Sequence, residues 1–191
     1  MKKIPTLFER EFKNHELVGI TDKVHPGMEW VLEGKGEATL KWDGSCCAII
    51  DGQFYKRYDA KRGKKPPAGA IPCCDPDPVT GHHPHWVLVD SADPANRHFV
   101  NAFVNTTPAR FDQTYEACGP GFNGNRHNLA ENKLIPHGIH VVSVPRSFEG
   151  IREWLREHNV EGIVFWKDKE PQCKIRRKDF GFEWPMKEEY V

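Results

Sequence analysis

Lys41-Trp42-Asp43-Gly44 sets a lysine two residues ahead of an aspartate and three ahead of a glycine. Residues suited to handling phosphate recur downstream at Lys61-Arg62-Gly63, Glu116, Glu161-Gly162 and Lys174-Ile175-Arg176. Together these types suit a lysine that becomes covalently nucleotidylated. Such an amine must be neutral to attack phosphorus, whereas a free lysine side chain has a pKa of about 10.4. Nearby cations or desolvation lower that value, a task Lys174 and Arg176 would combine with gripping the phosphate. The transferring group needs lysine, arginine or a divalent ion against its charge, and the ion needs carboxylates, for which Glu116 and Glu161 are the candidates. Taken singly, K-x-D-G reads rather as a hairpin edge, because Asp-Gly is a common turn dipeptide, and Glu161 rather as an ordinary charge at the start of a strand.

The elements that must position these residues are legible in part. Glu37 to Lys41 and Ser45 to Ile50 read as strands, Asp51-Gly52 as a tight hairpin turn, and Gln53 to Tyr58 as the returning strand. The stretch from Lys64 to Pro84 carries Pro66, Pro67, Pro72, Pro76, Pro78 and Pro84, a composition that excludes regular structure through most of its length and marks a long surface connection or insertion. Trp86 to Val89 and Thr114 to Ala117 read as short strands, and Phe99 to Val104 fits strand or helix. Ile139 to Val144 reads as a β-branched strand. Ser147 is positioned to cap a helix bearing Ile151, Trp154, Leu155 and His158, and Val160 to Trp166 and Lys174 to Arg177 read as further strands. Alternate residues of a strand share a face, so Lys174 and Arg176 point the same way. Hairpins and an excess of strands over helices predict an α+β fold.

At 191 residues, 38% hydrophobic and 28% charged, the chain has the composition of a globular protein, with room for one substantial domain over 1–191. No run of about 18 apolar residues and no signal-peptide pattern occurs, so a cytoplasmic protein without membrane partners is expected. Lys and Arg total 27 and Asp and Glu total 27, which argues against a bulk electrostatic nucleic-acid binder and for local basic surfaces. Two are visible: Lys56, Arg57, Lys61, Arg62, Lys64 and Lys65, and then Lys174, Arg176, Arg177 and Lys178. For basic runs in general a solvated face is the commoner outcome. The six cysteines include the vicinal pairs Cys46-Cys47 and Cys73-Cys74, which bridge poorly, so reduced thiols are expected. Cys73, Cys74, His82 and His85 could hold zinc or simply belong to an ordered loop, since no C-x-x-C pair is present.

Lys41-Trp42-Asp43-Gly44 resembles motif I of the covalent nucleotidyltransferase superfamily of RNA ligases, DNA ligases and mRNA capping enzymes. The later elements resemble that superfamily's motifs in order: Lys61-Arg62-Gly63 motif Ia, Thr114 to Gly119 motif III, Val160 to Phe165 motif IV, and Lys174-Ile175-Arg176 motif V. The resemblance implies a ligase-type nucleotidyltransferase fold, antiparallel sheets flanked by helices around a nucleotide cleft. It implies AMP on Lys41, Arg62 at the nucleotide or the 5′-phosphate end, Glu116 at the ribose, Glu161 serving the metal, and Lys174 with Arg176 on the α-phosphate. Leu40 stands where many RNA ligases carry glutamate, and Arg176 where lysine is common; arginine replaces a point donor with a planar fork. The aromatic that the family stacks on adenine has no unique match: Phe122, Phe148 and Trp154 are candidates, Trp154 also fitting the apolar face of a helix.

Residues 177–191 are too few for an OB domain after motif V, which leads us to expect a minimal RNA ligase using ATP and Mg²⁺ or Mn²⁺, with RNA ends as partners. Asp75 to His82, and Ser45-Cys46-Cys47 after the lysine motif, resemble the eukaryotic RNA ligase 1 family. A guanylyltransferase, a nick-sealing DNA ligase core and a non-catalytic nucleotide- or RNA-end-binding module stay open as alternatives, as does an accessory protein.

Overall fold

The computed structural model describes residues 3–14, 16–106 and 111–187. Its elements run β1 (Phe8–Lys13), β2 (Glu16–Val24), β3 (Glu37–Lys41), β4 (Ser45–Ile50), β5 (Gln53–Ala60), β6 (Ile71–Pro72), β7 (His83–Leu88), α1 (Arg97–Asn105), β8 (Gln113–Cys118), β9 (Lys133–Pro136), α2 (Phe148–Glu157), β10 (Gly162–Lys167) and β11 (Glu170–Arg176). Mostly antiparallel sheets with few helices are compatible with α+β. Among the described residues no helix is long and apolar enough to cross a membrane. The chain divides into two compact units, one of Asp43–His137 with Lys3, the other of Ile4–Trp42 and the chain from Gly138 onward.

In the first unit an antiparallel six-stranded sheet has the order β6-β7-β5-β4-β8-β9. Cys47, Ile49, Phe54, Tyr115, Ala117 and Leu134 form a dry core with Ala102 of α1. The alternate residues Ala48, Tyr55 and Trp86 make a smaller cluster. The β4–β5 hairpin turns at Asp51 (φ 50°) and Gly52 (φ 71°), as expected from the sequence, and Asp112 accepts hydrogen bonds from both backbone amides, at 2.8 and 3.1 Å. The ambiguous stretch 99–104 is helical. Phe99, Ala102 and Phe103 recur at helical spacing against the sheet, and the helix is joined to β9 where Leu134 N–H donates to Thr106 Oγ1 at 2.8 Å.

In the second unit β1 and β2 form a hairpin, and β11-β10-β3 form an antiparallel sheet. Ala38, Ile163, Phe165, Cys173 and Ile175 project from one face of this sheet into a core with Leu7, Phe8, Val31, Ile151 and Leu155. The expected strand over Ile139 to Val144 is not formed. Val142 N–H donates to Ala38 O and Leu40 N–H to His140 O, both at 2.9 Å, but Val141 N–H turns back to Ile139 O at 3.1 Å and Pro145 has no N–H to continue the ladder. One bridge, Thr39 to Val141, is what remains.

Ser147 caps α2 as expected, accepting from Gly150 N–H at 3.1 Å. The other end of α2 is held by Arg177, which is not part of the basic surface expected from the sequence. Arg177 is only 4% exposed, and its Nη1 lies among the carbonyls of Leu155, Arg156 and His158 while Nε donates to Glu183 O at 2.8 Å. A guanidinium there satisfies the carbonyls that a helix end leaves without partners and complements the negative end of its dipole. Replacing Arg177 with alanine is expected to lower the unfolding free energy by about 3 kcal/mol, measured by urea titration. Lys178→Ala, on an exposed neighbour, should stay within about 0.5 kcal/mol of the parent.

Candidate functional site

The register of the three-stranded sheet brings the lysine of the first motif to the residues of the last two. Lys41 pairs with Gly162, and Gly162 with Arg176; one step along, Val164 pairs with both Thr39 and Lys174. Paired residues share a face and strands alternate, so Lys41, Lys174 and Arg176 stand on the face opposite the core. Gly162 sits between Lys41 and Arg176 with no side chain to fill the row. A Cβ there would run into the Ile175 carbonyl and come within 2.8 Å of Arg176 Cα.

Glu161, one residue before the paired glycine, is the counter-charge. Its Oε2 lies 2.6 Å from Lys41 Nζ, in an ion pair whose side chains are 22% and 12% exposed. Arg177 N–H donates to the Glu161 carbonyl at 3.0 Å, so the helix clamp also holds the backbone of this residue. Asp179 engages Arg176 through Nε at 3.1 Å and Nη2 at 2.7 Å, and Arg10 Nη2 approaches the same carboxylate at 3.8 Å. Two of the five N–H groups of Arg176 are used in this way. Lys174 Nζ has no hydrogen-bond or ion-pair partner among the described residues. Burial pushes its ammonium down from the ordinary 10.5 to about 8, with the charges of Lys41 and Arg176 acting in the same direction and Glu161 opposing them.

Glu116 and Arg62 belong to the other unit. Glu116 lies on β8 opposite Cys46 of β4 and Ile135 of β9. Its Oε1 accepts from Gly44 N–H at 3.1 Å, and Oε2 meets His137 Nε2 at 3.0 Å. Gly44 is packed so closely on β8 that a Cβ would strike the Ala117 carbonyl. Asp43 is a structural anchor: its N–H donates to His127 Nε2 at 2.8 Å, and its carboxylate accepts from Asn123 at 2.8 Å and Arg126 at 2.9 Å. Arg62 is exposed on the turn after β5 and lies along Gly81, where a Cβ would stand 2.7 Å from Arg62 Nε.

The first basic run is not a uniform surface. Lys56 donates to Asn96 Oδ1 at 2.5 Å and Arg57 to Asp59 at 2.7 Å, whereas Lys61, Arg62, Lys64 and Lys65 are exposed. Burial, then Glu116, pushes the Cys46 thiol up to about 12, and Cys47 lies in the core; all six cysteines are free. The three aromatic candidates all pack internally: Phe122 on Phe99, Phe148 on Phe8 and Phe180, Trp154 stacked on His158 at 4.0 Å. His85 Nδ1 contacts the His83 carbonyl at 2.8 Å, and among the described residues no group of three or more His, Cys, Asp or Glu side chains is arranged to cage a metal.

The sequence reading missed His137, His127, Asn123, Arg126 and Asp179. Asp179 carried a local signal, its spacing of three from Arg176. The others act across strand pairings and loops that no local pattern encodes.

No family model matches the chain. Over 90 residues it is 33% identical to a protein named RNA ligase 1 from Danio rerio, 30% to one from Pongo abelii and 31% to one from Rattus norvegicus. Each match covers 42% of this chain and 28% of the relative, so the chain matches under a third of the length of these proteins. The similarity supports a ligase family for the matched part.

The half-buried ammonium of Lys174 has a consequence for stability. Between pH 8 and 10.5 the unfolded chain holds this proton and the folded chain releases it, so stability rises with pH across that window, and below pH 8 the cost of the buried charge is fully present. Denaturant unfolding of Lys174→Met is expected to show greater stability than the parent at pH 7 and to lack this rising component. Parallel pH profiles for the two proteins would refute the assignment.

Proposed function

We propose that this chain is the adenylation core of an ATP-dependent RNA ligase with a ligase-type nucleotidyltransferase fold, joining 5′-phosphate and 3′-hydroxyl RNA ends through AMP carried on Lys41. The observation that carries the reading is the Lys41–Glu161 ion pair at 2.6 Å, on a sheet face shared with Lys174 and Arg176. An amine beside a carboxylate, with one further cation in its own row and another in the next, has the components of a phosphoryl-transfer site. The partial similarity to proteins named RNA ligase 1 supports the choice of substrate.

In the proposed reaction the Lys41 ammonium first loses a proton, for which Glu161 Oε2 is an acceptor within hydrogen-bond distance. The amine then attacks the α-phosphorus of ATP, forming the P–N bond as the bond to pyrophosphate breaks. Lys174 and the free edge of Arg176 offset charge on the α-phosphate oxygens. A 5′-phosphate oxygen of RNA next displaces Lys41 and takes the AMP, and a 3′-hydroxyl displaces AMP to leave a phosphodiester. Arg62 and its exposed lysine neighbours would hold the RNA backbone through salt-sensitive contacts.

Magnesium or manganese fits the donors present, because such ions are held by one or two carboxylates with substrate phosphates completing the shell, and Glu161 supplies a partly exposed carboxylate. When bound, the ion would neutralise phosphate charge during each transfer.

Incubation with α-labelled ATP or GTP plus Mg²⁺ tests the reading. Acid-stable label from ATP is expected on the native protein and none on Lys41→Ala, and Glu161→Gln should slow labelling by about a hundredfold or more. Label from GTP alone would favour a guanylyltransferase, and preferential sealing of nicked DNA a DNA ligase core. No label from either nucleotide would leave a non-catalytic RNA-end-binding module.

A further inference from the structure

Arg10 stands on β1, outside every motif that the sequence offered. The segment leading into β1 runs along the edge of β11 that β10 leaves open. Lys174 N–H donates to Pro5 O at 3.0 Å, Leu7 N–H donates to Lys174 O at 2.8 Å, and Thr6 bridges Lys174 in parallel. The two segments run the same way, so the chain passes from Thr6 to Arg10 as β11 passes from Lys174 toward Asp179. Arg10 Nη2 ends 3.8 Å from Asp179 Oδ1. The same oxygen accepts from Arg176 Nη2 at 2.7 Å, while Oδ2 accepts from Arg176 Nε at 3.1 Å and from its backbone N–H at 2.9 Å. All of these residues, with Lys41 and Glu161, belong to one compact unit.

The Asp179 side chain is only 1% exposed, so one carboxylate withdrawn from water serves as the fixed pivot of two guanidiniums. Arg176 keeps three of its N–H groups, and the Arg10 side chain, 36% exposed, donates no hydrogen bond to any described residue. Burial, then Lys41 and Arg176, lower the Lys174 ammonium, and Arg10 acts in the same direction, so Arg10 shares the field of this face. Glu161 and Asp179 answer four cations, Lys41, Lys174, Arg176 and Arg10, which leaves positive charge in excess. Planar forks fixed in this way match phosphate oxygens two at a time.

Attack by the Lys41 amine on a phosphorus expels the leaving group on the opposite side. Strand register sets Lys41, Gly162 and Arg176 in a row across the sheet, with about 9–10 Å between the backbones of its outer strands. Gly162 adds no side chain, so the row is open between the amine and the guanidinium, and Arg10 comes from beyond its far end. We infer that Arg10 and Arg176, pivoted on Asp179, form a clamp for the pyrophosphate that leaves as Lys41 is nucleotidylated, with Arg176 reaching from the α-phosphate to the leaving group and Arg10 holding its outer phosphate. The inference rests on the proposed function for the source of the pyrophosphate. As the P–N bond forms and the bond from the α-phosphorus to the bridging oxygen breaks, negative charge gathers on the departing group, where fixed guanidiniums stabilise it. In the reverse step a pyrophosphate oxygen attacks the α-phosphorus of lysyl-AMP, the amine leaves, and ATP is restored from the same clamp.

The test measures binding of inorganic pyrophosphate and of orthophosphate by calorimetry, without added metal, to the native protein and to Arg10→Ala, Arg10→Lys and Asp179→Asn. The native protein is expected to bind pyrophosphate at least about tenfold more tightly than orthophosphate. Arg10→Ala should weaken pyrophosphate by about tenfold and orthophosphate far less, and Arg10→Lys, a point charge without the fork, should fall between. Asp179→Asn separates a clamp from bulk attraction: if net charge alone drew the ligand, deleting a carboxylate would tighten binding, whereas a clamp that loses its pivot binds more weakly. In self-labelling, Arg10→Ala should raise about tenfold both the ATP concentration for half-maximal label and the pyrophosphate concentration that strips label from lysyl-AMP. Native pyrophosphate affinity in Arg10→Ala, or tighter binding by Asp179→Asn, overturns the inference. If the native protein binds pyrophosphate but takes no label, the proposed function fails alone and the binding comparison still decides the clamp. If it labels but binds no pyrophosphate, the clamp falls alone; if it does neither, both fall. Thermal unfolding of each variant separates a lost clamp from lost folding.

Discussion

Three cations stand on one face of a three-stranded sheet whose other face is a dry core, and like charges that close repel one another unless carboxylates stand among them. Glu161 takes Lys41 and Asp179 takes Arg176, while burial and its cationic neighbours push the Lys174 ammonium down to about 8. This balance governs what else the unit must do. Glu161 has to sit at the mouth of β10, which requires a glycine after it so that β11 can approach, and Asp179 has to be held where the chain turns out of β11. The core residues Ile163, Phe165, Cys173 and Ile175 hold these strands in the register that keeps the charges in rows. Burial on one face thus creates the electrostatic conditions on the other.

Where the chain encodes structure through alternation and turn residues, the sequence was a sufficient guide. Glu37 to Lys41 and Ser45 to Ile50 were read to the residue, because a strand bounded by Asp-Gly turns leaves little latitude. Ser147 was readable as a cap because its partner is three residues away. Elsewhere composition misled. Ile139 to Val144 has the β-branched content of a strand, but a local turn and a proline withdraw its amides from the ladder, so propensity gave way to hydrogen-bond accounting. Nothing local marked β1 and β2, whose pairing is defined by the hairpin they make together.

The candidate site was legible to a similar depth. Residue types and order identified Lys41, Glu161, Lys174 and Arg176, and strand register brings these four together in one unit. In the other unit the partners of Glu116 and Asp43 were invisible, since His137 acts across a strand pair and the loop of Asn123, Arg126 and His127 reaches Asp43 from about 80 positions away along the chain. The aspartate of the lysine motif is an anchor for the turn that delivers Gly44 to β8, so its role in its own unit is structural.

Arg176, Arg177 and Lys178 look interchangeable as text, yet they have three separate fates: one faces the cation row, one is sealed beneath a helix end, and one is in solvent. Charge-neutralising scans that treat such a tripeptide as a single basic element would merge a folding defect with a ligand-contact defect and report their sum as affinity. In this chain, adjacency along the backbone is a poor guide to shared purpose, and surveys of basic clusters need single-residue resolution before any of their effects is attributed to nucleic acid.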